Sequence, residues 1–381
     1  MTKPRFNGTS ISSLESLSSM LGVDRPRLEW IIETIPKSYK SFDIHTGKKQ
    51  KKRTIFEPKK ALKALQKKIN REIFENVTYP SYLHGGLKEK DYISNSASHT
   101  KKKTIICMDI QDFYPSISKR DVHQIFQYLM RFSPDVSSAL TELVTLNGKV
   151  PQGACCSSYI ANLVFFNKEF NIVNKLSRKG LSYTRLLDDI TVSSDNDLSD
   201  AEKTEIIQLV TGMARSYRLN INKDKTSIEH SKDSNAKLQV TGLWVKHGIP
   251  KLTKADRRYI RYLVYICKKD YDAKKDSVEY HDLWNKCSGK VAQMERLGHS
   301  QAKDLRQTLS EILPIYDEFR IKKCTMFAKR YIKTFSPPLS EEQISKVNKL
   351  IYKFGIVART QKNLAKTYRR ELRALLPIEK Q

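Results

Sequence analysis

The sequence is poor in acid and lacks the usual marks of a secreted, zinc-bound or membrane protein. Its 381 residues carry 41 Asp and Glu against 69 Lys and Arg, a formal charge of +28. That excess is the footprint expected of a polyanionic partner, and affinity for it should fall steeply with salt as phosphates release counterions. The six cysteines, Cys107, Cys155, Cys156, Cys267, Cys287 and Cys324, form no CxxC pair and no zinc spacing, so reduced core thiols are expected. No apolar run reaches membrane length, and the leading Met-Thr-Lys-Pro-Arg-Phe lacks a signal-peptide core; a cytoplasmic protein without membrane contact is expected. No internal repeat is visible.

What is present is a pair of apolar, β-branched segments that end in acid. Residues 104–118, Thr-Ile-Ile-Cys-Met-Asp-Ile-Gln-Asp-Phe-Tyr-Pro-Ser-Ile-Ser, form one, and Leu186-Leu187-Asp188-Asp189 closes the other. Each reads as a strand with carboxylates at its end. An Asp-Asp pair alone is also what a hairpin turn uses. Three carboxylates brought together are different: at about 4 Å and an effective dielectric of about 20, each like-charge pair costs roughly 4 kcal/mol, so a counter-cation is required. Mg²⁺ takes oxygen ligands and completes its shell with water and phosphates. Two such ions can activate an attacking hydroxyl and stabilise the leaving oxygen of a phosphoryl transfer. Asp109, Asp188 and Asp189 are the candidate catalytic residues and, with Ile110, the candidate site for two Mg²⁺.

Elsewhere the pattern predicts helices. Residues 11–36 read as a short helical lead, Ser38 to Lys52 as a basic loop or hairpin, and Leu62, Leu65, Ile69 and Ile73 fall on one helical face. Ser157 to Leu176 reads as one helix after Pro151-Gln152-Gly153, where Gly allows close backbone approach to a ligand. Ser199-Asp200-Ala201-Glu202 is a capping box, with Ile206, Val210, Met213 and Tyr217 inward. Helices on one face of a small antiparallel sheet make an α+β architecture. After Gly248-Ile249-Pro250 the pattern is helical; Lys254, Arg257, Arg258 and Arg261 share a face suited to a nucleic-acid backbone. Residues 315–381 hold 16 Lys and Arg against 6 Asp and Glu, a basic tail for structured RNA or a partner protein. Pro337-Pro338 marks a break there before a capped helix.

The order of segments resembles a reverse transcriptase, and within that family most the bacterial retron enzymes. Met108 to Ile117 resembles palm motif A, Val150-Pro151-Gln152-Gly153-Ala154 motif B, Tyr183 to Asp189 the YxDD motif C, and Leu219 to Thr226 motif D. Lys51 to Pro58, followed by Leu62, Leu65 and Gln66, resembles the fingers segment ahead of the palm. Asn95-Ser96-Ala97-Ser98-His99 is similar to the retron NAxxH signature with Ser for Ala, and Val240-Thr241-Gly242 matches the VTG signature. Leu186 stands where motif C usually begins with an aromatic, which bears on primer-end packing and fidelity.

The resemblance implies a right-hand polymerase. Residues 1–103 would be amino-terminal helices and fingers, 104–250 the palm with an inserted fingers segment at about 119–150, 251–314 a helical thumb and 315–381 a helical extension. It implies that Arg53 clamps triphosphate oxygens, that Tyr114 is the sugar gate, and that Asp112, Phe113 and Gln152 complete the nucleotide site. Lys225 would protonate the pyrophosphate leaving group. A buried, hydrogen-bonded imidazole is the ordinary reading of His99; the resemblance implies instead that nucleic acid touches Asn95, His99, Thr241 and Gly242 besides the basic stripe. The implied activity is copying a dedicated noncoding RNA into DNA from a guanosine 2′-hydroxyl, with a separate effector protein in antiphage defence. The rival readings are another bacterial reverse transcriptase, of intron or defence type, and a non-catalytic RNA-binding scaffold that keeps the palm.

Overall fold

A four-stranded antiparallel sheet carries the acidic segments. Its order is Leu181–Leu186, Asp189–Ser194, Thr104–Ile110, Ile221–His230. Ile105, Ile106, Met108 and Ile110 of the inner strand are all buried, which is why its apolar run does not alternate. Helix Asp200–Ser216 opens on the Ser199–Glu202 capping box and buries Ile206, Val210 and Met213, with Tyr217 at its end. Helix Lys60–Glu72 buries Leu62, Leu65 and Ile69, and these side chains join the sheet in one core. The result is an α+β palm. This computed structural model describes residues 3–46, 51–233 and 236–377, and the chain divides into two units, Met1–Lys251 and Leu252–Gln381.

Two expected helices are broken. The lead over residues 11–36 is two helices, Leu14–Leu21 and Arg25–Glu33. Gly22 turns left-handed at φ 67° to end the first, and the Asp24 side chain accepts from the Arg27 N–H to start the second. The segment after Gln152-Gly153 is likewise two helices, Ser157–Leu163 and Glu169–Arg178. The Arg185 guanidinium takes the Ala161 and Asn162 carbonyls, which a continuous helix would have used for its own ladder. Ser38 to Lys52 belongs to a hairpin, Tyr39–Thr46 paired with Lys51–Pro58; residues 47–50 lie outside the described part.

The second unit is helical among its described residues. Lys254–Lys274, Val278–Arg296 and Ala302–Glu311 come first. Glu318–Thr334, Glu341–Val357 and Lys362–Ala374 follow, around Cys324, Ala328, Val347, Phe354, Ala365 and Leu372. Ser340 caps the middle one of these after Pro337-Pro338, with Gln343 closing a capping box. All six cysteines are free thiols.

Candidate active site

Sheet register brings the distant carboxylates together. Asp109 pairs with Asp189 across the strands and with Asn222 on its other side. The turn Leu187-Asp188 is tied down as well, because the Ile110 N–H donates to the Asp188 carbonyl at 3.0 Å. Asp109 is 9% exposed, and Lys225 Nζ donates to its Oδ1 at 2.6 Å. Burial, reinforced by the charge of Asp109, raises Asp188 above the ordinary carboxylate range. Burial with both neighbouring carboxylates pushes Asp189 up to about 6. In both, among the causes that raise the pKa, the removal of the charged form from water comes first and the crowding of like charge second.

The donors fit a hard divalent cation, being carboxylate oxygens without sulfur or imidazole. Among the described residues, however, no three His, Cys, Asp or Glu side chains stand close enough together to hold an ion as they are. Lys225, expected as the proton donor to the leaving group, is here the ion-pair partner of the Asp109 carboxylate.

These groups open on a cavity of about 570 Å³, within the range of small-ligand sites. Its wall contains Arg53, Asp109, Ile110, Asp112, Phe113, Tyr114, Gln152, Asp188 and Lys225. Arg53 is half-buried and its charge acts on Asp188. Asp112 turns left-handed at φ 43° to start the short helix Phe113–Ser116. Phe113 is buried and stacks on Phe165 at 6.1 Å, while Tyr114 stays half-buried at the wall. Gly153 packs against the strand Lys51–Pro58: at φ 108°, a Cβ there would lie 2.6 Å from Ile55 Cγ2. The Phe56 N–H donates to the Gln152 carbonyl at 2.8 Å, joining the two segments.

The expected nucleic-acid contact of Asn95 and His99 gives way to an internal role, since both are fully buried. The His99 imidazole bridges Thr184 and Ser193, at 2.7 Å from each, and so joins the two strands of the Asp188-Asp189 hairpin from behind. Burial pushes its pKa down to about 3, which keeps the ring neutral. Ser96 Oγ donates to the Val240 carbonyl and meets Thr241 Oγ1 at 2.9 Å, so the two signature segments pack on each other. Thr241 and Gly242 form the turn between Gln239–Val240 and Leu243–Trp244, with Gly242 exposed. In the second unit Lys254, Arg258 and Arg261 are exposed and Arg257 half-buried; Arg261 donates to Gln301 at 3.0 Å.

The same cavity is lined by Asn147, Lys149, Leu187 and Asn222, which motif matching did not assign. Asn147-Gly148 was legible as a turn, and Asn222 lies inside motif D. Nothing local marks Lys149 as a wall residue.

Comparison with known proteins finds relatives along the whole chain. A family model described as reverse transcriptase (RNA-dependent DNA polymerase) matches residues 35–280. The retron Se72 reverse transcriptase of Salmonella heidelberg is 65% identical over 377 residues, covering 99% of this chain and 100% of the relative. The retron Ec48 reverse transcriptase of Escherichia coli is 32% identical, over 80% of this chain and 77% of the relative. A solved telomerase from Candida albicans in complex with a telomeric RNA fragment aligns at TM-score 0.40 and 12% identity, over 97% of this chain and 69% of that one.

Proposed function

The chain belongs to the retron reverse transcriptases and is an RNA-directed DNA polymerase, and from that premise we propose that it copies a dedicated structured noncoding RNA into single-stranded DNA. Synthesis starts from a guanosine 2′-hydroxyl of that RNA and leaves a branched RNA–DNA molecule, which acts with a separate effector protein in antiphage defence. The observation that carries the chemistry is Asp109 and Asp188 at the wall of a nucleotide-sized cavity, with Asp189 next in sequence and paired across the strands to Asp109.

Asp109, Asp188, Asp189 and the main chain at Ile110 would hold two Mg²⁺. Bound there, the ions would lower the pKa of the attacking hydroxyl and neutralise the leaving pyrophosphate. Arg53 presents a planar fork to the triphosphate, and Gln152, Asp112 and Phe113 shape the space for the base and sugar. Tyr114 blocks the 2′ position of the incoming nucleotide. Lys225 Nζ donates its proton to the pyrophosphate oxygen once that charge replaces its bond to Asp109.

Sequencing the nucleic acid that co-purifies with the protein tests the template assignment. The expected result is one RNA species with DNA joined to an internal 2′-hydroxyl, resistant to deproteinisation. DNA carrying only ordinary 5′ ends would overturn the branched product while leaving polymerase activity in place.

We assign Lys254, Arg257, Arg258 and Arg261 to the nucleic-acid backbone, a contact that orients without reading bases. Changing all four to Gln should weaken template binding about equally across sequences. The slope of log affinity against log salt should flatten by roughly 0.7 to 0.9 for each phosphate that is no longer neutralised. An unchanged slope would make the stripe a solvated face.

A further inference from the structure

Among the described residues Arg185 is the largest fully buried side chain, and none of the steps proposed above uses it. Its guanidinium makes five hydrogen bonds. Nε donates to Glu169 Oε1 at 2.6 Å and Nη2 to Glu169 Oε2 at 2.8 Å. Nη1 donates to the Ala161 carbonyl at 2.9 Å and Nη2 to that of Asn162 at 2.9 Å. Nη1 also donates to the Leu187 carbonyl at 3.1 Å. These bonds use every N–H that arginine has. Tyr183 OH donates to Glu169 Oε1 at 2.8 Å, which further fixes the acceptor.

The partners are not a random sample of the core. Leu187 directly precedes Asp188 and sits at φ 59°, a backbone conformation that a leucine adopts only when held. Ala161 and Asn162 end the helix that begins just after Gln152-Gly153. Asn162 Nδ2 donates to the Gly85 carbonyl at 2.6 Å. Gly85 lies so close that a Cβ there would be 2.8 Å from the Leu187 nitrogen. One guanidinium therefore connects the helix Ser157–Leu163 with the turn that presents Asp188.

Stability alone does not account for such a pair. A buried ion pair can often be replaced by apolar groups of similar volume without loss, because its attraction is offset by desolvation. What apolar groups lack is direction: a planar fork holds three backbone carbonyls and a carboxylate in one fixed arrangement. We propose that Arg185, oriented by Glu169, is a positioning residue of the polymerase site, fixing Asp188 through the Leu187 carbonyl relative to the helix Ser157–Leu163 that follows Gln152. The inference rests on the assignment of Asp188 to catalysis given above.

The test compares the full-length wild-type protein with Arg185→Met/Glu169→Met, which removes both charges, and with Arg185→Lys, which keeps them balanced but cannot span the same acceptors. Thermal melting, template–primer affinity, kcat and KM for a deoxynucleotide are measured. Mn²⁺ binding to the template–primer complex without nucleotide is followed by the ion's paramagnetic signal. Both variants should melt cooperatively and bind template–primer as the wild type does. Their kcat should fall by about 10- to 100-fold, the scale of a misplacement of about 1 Å, and half-occupancy should need several-fold more Mn²⁺. Wild-type kcat and Mn²⁺ binding in the folded variants would overturn the inference. If the double variant does not fold, Arg185→Lys decides in the same assays. Asp188→Asn, run alongside, separates the two claims: activity in that variant sinks the catalytic assignment itself. Its inactivity, beside fully active Arg185 variants, sinks only the positioning role.

Discussion

Nucleotide incorporation is expected to fall by more than roughly 10³-fold when Asp188 and Asp189 are both changed to Ala, the scale on which preorganised charge stabilisation is lost from a transition state. The protein should still fold and bind RNA. Both carboxylates are half-buried; burial raises both, Asp109 adds to each and Asp188 adds to Asp189, so their removal relieves repulsion rather than breaking a favourable pair. Asp189 sets the sign of the pH dependence. Its folded pKa is lifted from 3.8 to about 6, so the native state binds more protons than the unfolded chain between those values. The stability from this group is present below the lower value and lost as pH rises through the upper one. In chelator, the double variant should therefore melt at or above the wild-type temperature at neutral pH, and lose part of the wild-type decline across that window. Primer-extension assays with Mg²⁺, beside melting curves at several pH values, check both halves. Full extension by the variant would remove these carboxylates from the chemistry.

Changing Tyr114 to Val should raise ribonucleotide use relative to deoxynucleotide use by on the order of 10- to 100-fold, as expected for a contact about one heavy group in size. Tyr114 follows Asp109 by five positions, on the short helix Phe113–Ser116 at the cavity wall. Its ring lies 6.0 Å from that of Phe113, which in turn stacks on Phe165. A wall backed in this way cannot yield to a 2′-hydroxyl without disturbing the core. Single-nucleotide extension with matched ribo- and deoxynucleotides measures the ratio. An unchanged ratio would leave Tyr114 as a packing residue.

What could be read from the residues alone was local or carried by type. The Ser199–Glu202 cap, the inward face of Ile206, Val210 and Met213, and the break at Pro337-Pro338 depend on neighbours within one helical turn, and they stand as expected. The acidic strand ends were legible because three carboxylates need a shared reason to be at the ends of apolar runs. Tertiary packing decided the pairing of Asp109 with Asp189, since register is set across the whole sheet. It also chose Thr184 and Ser193 as the partners of the buried His99, and gave Asp109 the Lys225 ammonium as its partner. The helix expected from Ser157 to Leu176 failed for the same reason. Its local pattern is helical throughout, but Arg185 takes the carbonyls that would have continued it. A buried polar group takes its structure from whatever satisfies its hydrogen bonds. For these residues the partners lie far along the chain, where periodicity and spacing do not reach.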